Sequence, residues 1–224
     1  MQHLFQTILI LHIIGGTLAL ITGSFASLTK KGGRAHRLNG KLFTVGMTIV
    51  FITAVGMALL KSLTFLLMVG FFSYHQLLRG YRALYLKKLY KGMRMGWPDY
   101  LINGIGGAFN LWLTVWGILV VISQHATLGY VAVLFGGIGL QSVVRDVRRF
   151  FVSPKDKQHW FFTHISGMSA AYIATVTAFL VVNVKFLPGL MVWTGPTMVG
   201  LVVVNITIRK YRKLFAPKKA VETV

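Results

Sequence analysis

The sequence predicts an all-α, polytopic membrane bundle of seven helices, on three observations. The chain has 224 residues, 55% of them hydrophobic, with a mean hydropathy of +0.67, which sets it apart from soluble globular domains. Apolar runs of the ~20 residues that a helix needs to cross the hydrocarbon core recur along its length. Against 24 Lys and Arg stand only four Asp and Glu, and the cations fall in alternate gaps between the apolar runs.

Taken in order, the spans are read at 5–28, 42–60, 62–82, 101–123, 127–146, 161–184 and 188–208. No basic segment precedes the first, and cations trail it, which is the reverse of a secretory signal peptide; it is expected to be retained. Gly32-Gly33 breaks this helix and turns the chain back. The connection that follows, "KKGGRAHRLNGKLF", carries Lys30, Lys31, Arg34, Arg37 and Lys41 around His36. Further cations cluster at Arg79–Arg94, Arg145–Lys157 and Arg209–Lys219, and only Lys61 and Lys185 fall in the other gaps. Cytoplasmic loops are the ones enriched in Lys and Arg, so the N-terminus is expected outside and the C-terminus in the cytoplasm. Residues 1–210 then form one seven-helix domain and 211–224 a basic cytoplasmic tail. Orientation also accounts for the net charge of +20 without nucleic acid, which needs a readable binding face as well as charge. The expected surroundings are a lipid bilayer, with anionic lipids against the basic face.

A weak internal repeat overlies this plan. "RGYR", "RDVR" and "RKYR" begin at Arg79, Arg145 and Arg209, and Asn39-Gly40, Asn103-Gly104 and Ser166-Gly167 recur at an offset of about 64 residues. One helix followed by three hairpins is one reading; positive-inside placement alone is the other. One turn before each first arginine stands His75, Gln141 or Asn205. Such a ring of polar groups at one depth either seals helix contacts or lines a small site.

Chemistry narrows to the histidines. No cysteine is present, so thiolate metal sites, iron–sulfur clusters and covalently attached haem are excluded. There is no H-E-x-x-H pattern, paired carboxylate or nucleophile elbow. Ionisable groups within a bilayer are functional candidates by default. His12 lies ~12 Å below the outer surface at ~1.5 Å per residue, while His75 and His164 share a depth near the cytoplasmic side. His36 and His159 flank that same surface, and His3 and His125 are expected to be solvated. Matched depth on two helices is what a bis-imidazole haem b requires, with His75 and His164 as ligands and Arg79, Arg82 and Arg37 beside the propionates. The same two histidines, joined by His36 or His159, would suit a divalent metal instead. His12 is either a ligand of a second, outer site or a packing residue. The acids Asp99, Asp146 and Asp156 are expected to pair with nearby arginines.

"LHIIGGTLALITGSFA", then "KKGGRAHRLNGKLF", then "THISGMSAAYIATVTAFLVVN" resemble a family of multi-pass bacterial membrane proteins of unknown function. The K-G-G-x-x-H-R-x-x-G-x-x-F core is the most specific part. That resemblance implies a bacterial cytoplasmic membrane and supplies no activity. In architecture alone, a helical bundle with intramembrane histidines is also similar to two-histidine membrane cytochromes b.

Three functional expectations follow. The first is an electron-transfer protein holding haem b near the cytoplasmic side, with a quinone or other redox partner. A small transporter or lipid- or solute-binding protein is the second, and a histidine-metal membrane enzyme or sensor the third.

Overall fold

A computed structural model describes residues 2–216, and these form seven α-helices with no strand among them. The helices are α1 (Gln2–Leu28), α2 (Arg34–Leu60), α3 (Thr64–Arg82), α4 (Trp97–Gln124), α5 (Thr127–Phe151), α6 (His159–Asn183) and α7 (Gly189–Phe215). Two 3-10 turns, Ala83–Tyr85 and Leu89–Lys91, lie between α3 and α4. All but α3 are long and apolar enough to cross a membrane by length and composition. The apolar belts of these six account for the exposed Leu, Ile, Val and Phe side chains that a water-soluble protein would have to cover.

α3 departs from the expected pattern for a physical reason. It occupies the middle of the bundle, against α2, α4, α5 and α6. Facing protein on most sides, it carries His75, Gln76 and Arg79 as buried residues among its apolar ones, and its mean hydropathy falls accordingly. Its 19 residues still reach ~28 Å at ~1.5 Å per residue, close to the ~30 Å of a hydrocarbon core.

Several helices also run further than their apolar runs. α2 starts at Arg34 rather than 42, α4 at Trp97 rather than 101, and α5 ends at Phe151 rather than 146. Hydropathy detects only the lipid-facing length, whereas backbone hydrogen bonding continues into the basic segments. α7 likewise continues to Phe215, into the segment expected as a tail; 217–224 lie outside the described residues.

Two cores hold the helices. Phe65, Met68 and Phe72 of α3 pack with Leu113 of α4 and Val131, Ala132 and Phe135 of α5. The second core joins Ala19, Phe43, Met47, Leu77 and Ala171 from α1, α2, α3 and α6. α3 and α6 come closest at Gly80 and Gly167. A Cβ on Gly167 would sit 2.6 Å from the Gly80 Cα and 2.8 Å from the Gln76 carbonyl oxygen, so both positions need the smallest residue for the backbones to meet. Between α1 and α2 the chain turns at Gly32, whose φ of +76° suits a residue without Cβ.

Candidate functional site

The site grows from one face of α4. Asp99, Asn103, Gly106 and Asn110 recur at i, i+4, i+7 and i+11 and all are buried, so they share the stripe that faces α3. α4 begins where the Gly96 N–H donates to Asp99 Oδ2 at 2.9 Å, with Pro98 in its first turn, where a missing N–H costs nothing.

At the basic end of the bundle this stripe meets a network of ion pairs. Arg82 donates through Nε and Nη2 to Asp99, both at 2.8 Å. Arg79 grips Asp146 in the same two-pronged way at 2.7 and 3.0 Å, and its Nη1 donates to Gln76 Oε1 at 3.2 Å. Arg149 Nη1 donates to Asp146 Oδ1 at 2.8 Å and to the Thr163 hydroxyl at 2.7 Å. Buried charges persist when they are paired and their remaining hydrogen-bonding positions are filled. The network surrounds a cavity of about 30 Å³, room for about two water molecules. It therefore ties α3, α4, α5 and α6 together and spends its charge internally. Arg79 and Arg82, expected beside haem propionates, are engaged by Asp146 and Asp99.

One step further from the basic end lies His75, 3% exposed. The Asn110 side-chain nitrogen donates to the Gly106 carbonyl at 2.6 Å, and the same nitrogen lies 3.3 Å from His75 Nδ1. A carbonyl only accepts, so Gly106 fixes which end of the amide faces the ring. Nδ1 then accepts, and the imidazole proton resides on Nε2. That Nε2–H has no partner in the protein. Gly106 makes room for the ring: a Cβ there would collide first with its Cδ2 and Cγ atoms, and Nε2 stays buried between α3 and α4.

His75 and Gly106 form part of the wall of a cavity of about 360 Å³ between α2, α3 and α4. Phe51, Phe71 and Tyr74 line one side, and Trp97, Leu101 and Ile105 the other, with no Lys, Arg, Asp or Glu in the wall. Phe51 stacks on Tyr74 at 4.2 Å and meets the edge of Phe71 at 5.0 Å. The volume falls in the range of small-molecule sites, which are mostly apolar with a few placed polar groups.

Four other histidines, His164, His36, His159 and His12, each place a ring nitrogen on a protein partner. His164 Nδ1–H donates to the Gly80 carbonyl and His36 Nδ1–H to the Ala26 carbonyl, each at 2.9 Å. Those carbonyls belong to the last turns of α3 and α1, where intrahelical donors run out. Lys31 Nζ adds bonds to the Ala26 and Ser27 carbonyls at 3.2 and 2.6 Å, and burial pushes its pKa below the usual lysine value. His36 and Lys31 thus close the end of α1. His159 places Nε2 3.0 Å from the Leu86 carbonyl, and the rings of His36 and His164 meet edge to face at 6.3 Å. His12 Nδ1–H donates to the Thr53 hydroxyl at 2.9 Å, linking α1 to α2. His3 and His125 are exposed.

His75 and His164 therefore open on different parts of the bundle. The first faces Asn110 and Gly106 of α4; the second faces the end of α3 and His36, and lines neither cavity. This arrangement does not fit one haem iron held between the two. Nor do three His, Asp or Glu side chains come together as a metal site among the described residues. Gln141 and Asn205 are exposed while His75 is buried, so the expected polar ring does not converge. Sequence reasoning missed Asn110 and Gly106, although the 99-103-106-110 spacing marks a polar face on an apolar helix. In comparisons with known proteins, no family model, curated protein or solved structure matches the chain.

Proposed function

We propose that the protein is a seven-span membrane protein, α3 included, that binds a small lipid-soluble molecule in the cavity between α2, α3 and α4. The observation that carries this reading is the cavity itself: about 360 Å³, walled by aromatic and aliphatic side chains with no Lys, Arg, Asp or Glu among them. With the N-terminus outside, the basic segments at 30–41, 79–94, 145–157 and 209–213 lie on the cytoplasmic side. The Arg79–Asp146 pair joins the second and third of those segments, and His164, which meets both His36 and the Gly80 carbonyl, brings the first beside them. The resemblance to multi-pass bacterial proteins points to a bacterial cytoplasmic membrane. Lipid solubility of the ligand follows from the route in: Trp97, Leu101 and Ile105 line the cavity and are also exposed at the bundle surface.

Photolabelling tests this. A neutral phenyldiazirine incorporated into nanodiscs with the full chain is expected to form adducts on Phe71, Tyr74 and Leu78 that saturate with probe concentration. The filling variant Ile105→Trp is expected to abolish them while leaving labelling of lipid-facing Ile118 and Leu119 unchanged. Inner-wall adducts that never saturate, or that persist in the filled variant, would overturn the binding reading.

A further inference from the structure

We infer that His36 and His164 form a two-histidine site for a monovalent copper ion at the basic end of the bundle, apart from the cavity between α2, α3 and α4. The backbone places the ring protons. His36 Nδ1 lies 2.9 Å from the Ala26 carbonyl, and His164 Nδ1 lies 2.9 Å from the Gly80 carbonyl. A carbonyl oxygen only accepts, so in each neutral ring the proton resides on Nδ1 and Nε2 carries the lone pair. Metal-ligating histidines almost always have this form, with the other ring N–H held by a carbonyl or carboxylate that fixes tautomer and orientation. Neither Nε2 has a partner among the described residues. Neither is sealed in the protein as His75 Nε2 is, and both rings are only partly buried.

The two rings are also spaced for one ion. Their centroids are 6.3 Å apart and their planes 79° apart. With ~2.0 Å from metal to nitrogen and ~1.2 Å from nitrogen to ring centre, centroids on one ion lie about 5 Å apart at a tetrahedral angle and about 6.4 Å apart in a line. The observed spacing falls at the linear end of this range. His36 belongs to the first turn of α2 and His164 to the second turn of α6, so an ion between them would tie those two helices together.

Charge and ligand number decide which ion. No third His, Asp or Glu side chain joins the pair among the described residues, and the Lys31 ammonium shares the Ala26 carbonyl with His36. Zinc sites draw on four ligands, and calcium and magnesium on more, mostly oxygen. A divalent ion also meets twice the repulsion from Lys31 that a monovalent one does. Copper(I), a closed-shell ion, is satisfied by two nitrogen donors in a line, and imidazole is a copper ligand. This end of the bundle is cytoplasmic in the proposed orientation, where a reducing poise favours the monovalent state.

The test uses the full chain in phosphatidylcholine nanodiscs, stripped with a chelator and offered copper(I) anaerobically from its coloured ferrozine complex. Loss of colour is expected to stop at one copper per chain. The copper K-edge of the loaded protein should show the intense 1s→4p feature of two-coordinate copper(I). His36→Gln and His164→Gln should each weaken binding by more than ~100-fold, beyond what losing an outer hydrogen bond to a ligand costs. His3→Gln combined with His125→Gln, both at exposed positions, should leave it unchanged. No stoichiometric copper on the native chain, or copper bound equally by the His36→Gln and His164→Gln variants, would overturn the site. Zinc held as tightly as copper, or a K-edge without that feature, would overturn the monovalent assignment. Stoichiometry and K-edge are read on the native chain, so the site remains refutable even if a variant does not fold.

Discussion

Arg79→Ala is expected to lower the stability of the folded protein by ~3–5 kcal/mol, because it strips one partner from a buried ion pair and leaves the other charge behind. Asp146 accepts two bonds from Arg79 at 2.7 and 3.0 Å, and the two side chains are only 6% and 12% exposed. After the substitution Asp146 keeps only Arg149, while Gln76 loses the donor to its Oε1. A fall of about 10 °C in thermal unfolding of the detergent-solubilised chain is the corresponding scale for a protein of this size. The double replacement Arg79→Met with Asp146→Leu should recover most of that loss, since it removes both charges and retains apolar volume. An Arg79→Ala protein that melts with the native one would show that the network does not hold α3 to α5.

Gly167→Ala is the second large effect, and the reasoning is steric. The new methyl would sit 2.6 Å from the Gly80 Cα, 2.7 Å from its nitrogen and 2.8 Å from the Gln76 carbonyl oxygen. These atoms are all backbone, so no rotamer change relieves the overlap; α6 must move away from α3. The shift would also stretch the His164 bond to the Gly80 carbonyl. A loss of about 3 kcal/mol or more is expected, at the upper end of overpacking costs. Gly137→Ala provides the contrast, because a Cβ at that position on α5 meets nothing within 4 Å. There the gain in helix propensity, up to ~1 kcal/mol, should leave stability equal or slightly raised. Comparable melting of the two variants would contradict a close α3–α6 crossing.

Both effects act at contacts of α3, with α5 and with α6, and α3 is the helix whose character was hardest to read from composition. The apolar runs located the seven helices well, because lipid exposure imposes a long uniform signal on each. α3 kept a weaker version, since protein covers the face that carries His75, Gln76 and Arg79. Arginine–aspartate pairing was legible from the nearby arginines in the same segments: Asp99 and Asp146 find them, whereas Asp156 accepts from the Gln158 N–H instead. The spacing suggested one depth for His75 and His164, but His164 meets the Gly80 carbonyl, five residues beyond His75 along α3, or ~7.5 Å at ~1.5 Å per residue. Rotation about the helix axis, which turns His75 toward α4, was not legible either. The same lack of rotational information made His75, Gln141 and Asn205 resemble a ring. His36 stood out from its basic segment, yet its partner, the Ala26 carbonyl, becomes identifiable only once the end of α1 folds back beside it. Across helices, partners lie 35 residues apart for His75 and Asn110 and 67 for Arg79 and Asp146, beyond any local periodicity.

The seven-span reading depends on α3 crossing the bilayer, and side-specific cysteine labelling tests that most directly. The chain has no cysteine, so Lys61→Cys and Lys88→Cys place single reporters just before and just after α3, both at exposed positions. In intact cells, a membrane-impermeant maleimide is expected to label Lys61→Cys and to reach Lys88→Cys only after lysis. Equal labelling of both in intact cells, or protection of both until lysis, would place the two ends of α3 on one side and contradict the seven-span account.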